Sequence, residues 1–68
     1  MRTNWFIVIQ TAGAWWVDNE GHAFGPFTTR EAAANEAVEY ARRLGDSSRR
    51  SLIYGPDDAG KQRLIRKL

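Results

Sequence analysis

The chain has 68 residues, no cysteine, one histidine and a formal net charge of +2. This length fits one small domain rather than two, and the composition excludes disulfides, thiolate metal sites, cysteine nucleophiles and sites built from several histidines. The net charge is unevenly distributed, because residues 1–41 carry −3 and residues 42–68 carry +5.

The first part of the chain predicts three strands. Residues 4–11 and 14–18 are rich in aromatic and β-branched side chains and are separated by a short turn at Gly13, so they predict an antiparallel hairpin. A short third strand is predicted at 22–27. Pro26 cannot donate a ladder hydrogen bond, so this strand should lie at a sheet edge or end there.

One helix is predicted at residues 29–44. Thr28 and Glu31 have the spacing of a capping box, with the threonine at the N-cap and the glutamate at N3. Small and apolar residues recur along one side at helical spacing: Ala33, Ala37, Tyr40, Ala41 and Leu44. Because this stripe is mostly alanine, the helix can lie close to a flat sheet.

Two further strands are predicted at residues 50–55 and 61–67, joined by a turn rich in glycine and aspartate. The alternation of 61–67 favours a strand, although a short helix is an alternative because lysine, glutamine, arginine and leucine are good helix formers. The predicted fold is a two-layer α+β domain of ββ(β)αββ order. It has an antiparallel sheet of four or five short strands with one α-helix packed on it.

Both faces of this sheet should be apolar, because successive strand residues face opposite sides. Trp5 and Ile7 face one way and Phe6 and Val8 the other, yet one helix covers one face only. We therefore expect a homodimer, formed through the open face or by strand exchange. The alternative is a strongly coiled sheet that wraps its helix and leaves one tryptophan at the surface. The candidate self-association residues are Trp5, Phe6, Val8, Trp15, Trp16 and Ile53.

The basic second half of the chain suggests nucleic-acid binding as an alternative function. Cations along a strand pair can contact phosphates, and Trp5 or Trp16 could stack on unpaired bases. The candidate contacts are Arg49, Arg50, Lys61, Arg63, Arg66 and Lys67. The same residues would also suit a solvated basic surface, or an edge strand guarded against aggregation.

No pattern in the sequence indicates catalysis, a metal or a cofactor. His22 lies beside a predicted turn with no nucleophile placed near it, and Asp57-Asp58 lacks the ligand spacing of a calcium loop. The run at 55–60 lacks the glycine spacing of a P-loop. Because no catalytic pattern is present, we expect a protein that is not an enzyme. We also expect a cytoplasmic protein without membrane contact, since the sequence shows no apolar run long enough for a signal peptide or a membrane span.

Taken together, these short motifs resemble a family of small bacterial proteins, the domain-of-unknown-function family numbered 2188. Those chains combine a Trp-x-Val strand, a Thr-x-x-Glu-Ala helix start and a basic last strand. The matching residues here are Trp15-Trp16-Val17, Thr28 or Thr29 with Glu31-Ala32, Ala33, Ala37 and Ala41, Leu52-Ile53-Tyr54-Gly55, Asp57 or Asp58, Gly60-Lys61 and Ile65. The resemblance implies a fold and no activity or site residues.

The junction from Gly25 to Ala32 is also similar to the strand-to-helix junction of integrase-arm DNA-binding domains. That partial resemblance implies a sheet that enters the major groove. The sequence departs from it, because Trp5 to Val17 carries no basic residue.

Overall fold

The computed structural model describes residues 3–44 and 50–68. The predicted α+β fold with one helix on a sheet is confirmed, and residues 62–67 form a strand rather than a helix. In chain order the elements are β1 (Thr3–Thr11), β2 (Ala14–Asn19), β3 (His22–Phe27), α1 (Arg30–Leu44), β4 (Arg50–Pro56) and β5 (Gln62–Lys67).

The five strands form one sheet in the order β3-β2-β1-β4-β5. The prediction of a wholly antiparallel sheet is wrong at its centre, where β1 and β4 pair in parallel. The cause is α1, which carries the chain back along the sheet after β3. The next strand therefore runs in the same direction as β3 and β1. β3 lies at a sheet edge, where Pro26 costs no ladder hydrogen bond.

Two tight turns set the register of the first three strands. Ala12 and Gly13 connect β1 to β2, and Glu20 and Gly21 connect β2 to β3. All four residues have positive φ, at 52° and 79° in the first turn and 53° and 93° in the second. Positive φ at both central residues is the geometry that matches the twist of a two-residue hairpin, and it favours glycine.

The core is a single layer between α1 and one face of the sheet. Phe6, Val8, Val17 and Ile53 are fully buried on the sheet side, and they meet Ala33, Ala34 and Ala37 of the helix. The alanine side chains let the helix backbone approach the sheet closely. At the far end of the helix the Tyr40 ring stacks on Phe24 at 5.1 Å and meets the edge of Phe6 at 5.9 Å.

The helix begins one residue later than the capping-box prediction. The Thr29 hydroxyl oxygen accepts the backbone N–H of Ala32 at 3.0 Å, so Thr29 rather than Thr28 is the N-cap. Glu31 therefore stands at N2, where it cannot complete a capping box. This shift places Arg30 at the first helical position, facing the turn between β4 and β5.

Candidate functional site: the open face of the sheet

The sheet face opposite α1 is apolar across four of its five strands. Register places Ile7 beside Tyr54 and Ile9 beside Trp16, so these side chains leave the sheet on the same side. We call this surface the open face. Its apolar members are Trp5, Ile7 and Ile9 of β1, Trp16 of β2, Leu52 and Tyr54 of β4, and Leu64 of β5.

Several large side chains of the open face are strongly exposed. Trp5 is 45% exposed, Ile9 39% and Leu64 47%. They belong to β1 and β5, which lie on either side of β4, so the exposed surface is more extensive than the single tryptophan that a sheet coiled round its helix would leave. Within the described residues, α1 is the one helix, and it packs on the opposite face.

Aromatic contacts hold the centre of the open face in place. The Trp5 and Tyr54 rings stack with their centroids 5.7 Å apart and their planes inclined by 26°. Trp16 lies across Gly25 of β3, where a Cβ would come within 3.1 Å of the indole ring. The largest aromatic rings of the open face are therefore held in defined positions by packing against neighbouring strands.

The predicted self-association residues are divided between the two faces. Trp5 and Trp16 lie on the open face, as self-association requires. The prediction is wrong for Phe6, Val8 and Ile53, because these side chains are fully buried beneath α1 and offer no surface to a partner. Trp15 is also on the helix side, where it packs against the core.

The predicted set lacks five apolar members of the open face, namely Ile7, Ile9, Leu52, Tyr54 and Leu64. Strand parity gives the missing signal for Ile7 and Ile9, which share the parity of Trp5. Leu64 could not be placed in this way, because the register of β5 shifts between the partners of Ile53 and Tyr54. A bulge of this kind reverses the facing of the residues beyond it.

The predicted nucleic-acid contacts are also divided by the sheet. Lys67 lies opposite Leu52, and Arg50 lies beside Thr3, so both belong to the open face. Arg66 lies opposite Ile53, on the helix side. Lys61 precedes β5 in the turn, and Arg49 lies outside the described residues.

Arg63, the remaining predicted contact, belongs to a polar cluster at the start of α1. Its Nε donates to Asp57 Oδ2 at 3.0 Å. Arg30 donates through Nη1 to the Pro56 carbonyl oxygen at 2.9 Å and through Nη2 to Asp58 Oδ1 at 3.1 Å. These bonds fasten the first turn of the helix to the turn between β4 and β5.

Asp57 organises that turn from within. Its Oδ1 accepts the backbone N–H groups of Ala59 and Lys61, both at 2.9 Å. The hydrogen bond from Arg63, followed by that from the Lys61 backbone, lowers the pKa of Asp57 below its ordinary value. In the same cluster, the hydrogen bond to Asp58 raises the pKa of Arg30.

A cleft of about 320 Å³ lies beside this cluster, between α1 and β5. Its charged lining consists of Arg30, Glu31, Asp57, Asp58 and Arg63, which form ion pairs with one another. Ala34 and Ile65 supply apolar walls. These contacts account for the cluster as a structural fastening of the helix to the sheet.

Among residues 3–44 and 50–68, no group of three or more histidine, aspartate and glutamate side chains is placed to hold a metal ion. His22 is exposed on the edge strand β3, opposite Asn19. In the same part of the chain, the helix lacks the length and apolar character needed to cross a membrane.

Comparison with known proteins gives no family assignment. No family model, curated protein or solved structure matches the chain. The resemblance to the family numbered 2188 therefore stays a prediction.

Proposed function

We propose that this protein is a non-enzymatic interaction module that forms a homodimer through its open face. The observation that carries the proposal is the exposure of Trp5, Ile9 and Leu64 on a face that none of the described elements covers. Large contiguous apolar patches on small proteins commonly mark interaction surfaces. The absence of cysteine from the chain fits a reducing cytoplasm.

The size of the open face supports a dimer of modest affinity. Its four strands, about 4.8 Å apart and 6 to 9 residues long, span roughly 20 Å across the strands and 20–30 Å along them. Two such faces together bury on the order of 1,000 Å², which lies at the lower limit for a specific interface. Covering each of the three most exposed side chains contributes roughly 1 kcal/mol, since each is already about half buried.

Sedimentation velocity over about 1 µM to 1 mM tests the proposal, because this range brackets association through a small interface. Leu64→Lys places a charge on the open face and should raise the dissociation constant at least tenfold. Leu44→Lys is the matched control, because Leu44 is 44% exposed but lies at the end of α1. A wild-type chain that stays monomeric throughout, or two variants that associate as the wild type does, would overturn the proposal.

Binding of single-stranded nucleic acid is a second candidate for the same surface. It is favoured by the position of Arg50 and Lys67, which leave the sheet on the same face as Trp5 and Tyr54. Aromatic rings beside cations are the elements that single-strand binding uses. NMR titration with single-stranded DNA and RNA at two salt concentrations separates the candidates. Shifts on the open face that vanish at high salt would favour nucleic acid.

A further inference from the structure

The charged residues of the open face lie on opposite sides of its apolar centre. Lys67 stands on the edge strand β5, opposite Leu52. Asp18 stands on β2, beside Ile7 of β1 and Ala23 of β3. The strand order places Lys67 two strands from β1 on one side and Asp18 one strand from β1 on the other. The face is therefore positive toward one edge and negative toward the other.

We propose a specific arrangement for the dimer, which rests on the proposed function: the two open faces pack about a twofold axis that runs parallel to the strands between β1 and β4. This axis lays β1 on the partner's β4 and β2 on the partner's β5. Lys67 of each copy then lies beside the partner's Asp18. The two residues differ by about two positions along the strands, or roughly 7 Å, a gap that the long lysine side chain can span.

The same axis also determines what Trp5, at the apolar centre, and Arg50, the other cation of the open face, meet on the partner. Trp5 and Leu52 stand side by side on neighbouring strands, so the axis between them places Trp5 against the partner's Leu52. Arg50 stands beside Thr3, so it faces the partner's Thr3. The partner's Arg50 lies one strand, about 4.8 Å, to the side, and both arginine side chains are exposed at the end of the sheet, where they can extend into solvent. Facing sheets with nearly aligned strands are the usual geometry of a β-sandwich.

The other simple arrangement is disfavoured by charge. A twofold axis in the sheet plane but perpendicular to the strands lays each strand on its own copy. Centred on the row of Ile7, Tyr54 and Leu64, which is the middle of the apolar surface, this axis places Asp18 directly against the partner's Asp18. Like charges that face each other across an interface oppose association.

Charge reversal distinguishes the two arrangements. In the proposed dimer the Lys67–Asp18 contact occurs twice, so Lys67→Asp alone and Asp18→Lys alone each replace two attractions with two repulsions. Each single variant should raise the dimer dissociation constant roughly tenfold or more. An equimolar mixture of the two variants should form a heterodimer of near wild-type affinity, because both contacts are then again between opposite charges.

Matched controls test whether position rather than total charge is responsible. Arg66→Asp reverses a charge next to Lys67 in sequence but on the helix side of the sheet. Glu39→Lys reverses a charge at an exposed position of α1. Both should associate as the wild type does. Lys67→Gln and Asp18→Asn, which remove charge with little change of shape, should weaken the dimer by a smaller factor than the reversals.

Sedimentation equilibrium on the full chain, with circular dichroism to establish that each variant is folded, gives separable outcomes. A wild-type dimer that Lys67→Asp leaves unchanged would overturn this arrangement and leave the proposed self-association standing. A mixture that fails to associate, although both variants are folded, would overturn it equally. A wild-type monomer at every concentration would overturn the proposed function itself.

Discussion

Replacement of Gly55 by alanine tests the packing between β4 and its two neighbouring strands. Gly55 lies on the helix side of β4 and is buried. A Cβ at this position would lie 2.6 Å from Ile65 Cδ1 and 3.0 Å from Val8 Cβ. The Ile65 methyl group can move, because Ile65 is 40% exposed. Val8 is fully buried and its Cβ is fixed to the backbone of β1, so that contact cannot be relieved cheaply.

The magnitude follows from two opposing effects. Forcing an extra carbon into a packed site costs about 1–3 kcal/mol. Alanine regains about 0.5–1 kcal/mol over glycine in a strand, because it loses less conformational entropy on folding. The middle of each range gives a net loss of about 1 kcal/mol in the free energy of unfolding. For a domain of this size this loss lowers Tm by roughly 4–8 °C.

Thermal unfolding followed by circular dichroism, at one fixed protein concentration, measures this change. The same substitution in an Ile65→Ala background locates the strain. If the buried Val8 contact dominates, the cost of Gly55→Ala should be nearly equal in both backgrounds. A Tm that stays constant or rises on Gly55→Ala would refute the reasoning, because it would mean that β1 and β4 separate without cost.

Two further predictions concern the N-cap of α1 and the turn between β4 and β5. Thr29→Ala should cost about 1 kcal/mol in urea unfolding because it removes the acceptor for the Ala32 N–H, whereas Thr28→Ala should cost less than about 0.5 kcal/mol; equal losses would contradict the cap assignment. The lowered pKa of Asp57 means that its carboxylate stabilises the fold above the ordinary aspartate pKa of about 3.9 and that this contribution is lost as pH falls further. Asp57→Asn and Arg63→Gln should therefore both flatten the fall in stability as the pH drops below the ordinary aspartate pKa. Curves of stability against pH that run parallel to that of the wild type would exclude this role.

The elements of this fold could be predicted because each rests on local chemistry. Period-two alternation defines the strands, and Gly13 and Gly21 supply the positive φ that the hairpin turns require. The helix follows from alanines at helical spacing after a threonine. None of these features depends on contacts between residues that are far apart in the sequence. The sequence alone is therefore enough to locate the strands, the turns and the helix.

The pairing of β4 with β1 and the choice of the helix-covered face were not predictable in this way. Both faces of β1 are apolar, and parity alone cannot tell Phe6 from Trp5. The selection comes from tertiary contacts: Ile53 and Gly55 stand on one face of β4, and the missing side chain of Gly55 leaves room there for Ile65. The candidate self-association set mixed the two faces because this choice was open.

The distribution of side-chain size across the two faces is itself an argument for a covered open face. The buried helix residues are all alanines, and the fully buried sheet residues are three aliphatic side chains and one phenylalanine. Trp5, Trp16 and Tyr54, which have much apolar surface to bury, lie on the open face instead, whereas Trp15 packs against the core from the helix side. A short chain has little core to spare, so placing three large aromatic side chains where one helix cannot reach them lowers the stability of a lone copy. The same placement becomes favourable when a second copy supplies the missing layer, so the distribution of side-chain size supports the proposed dimer.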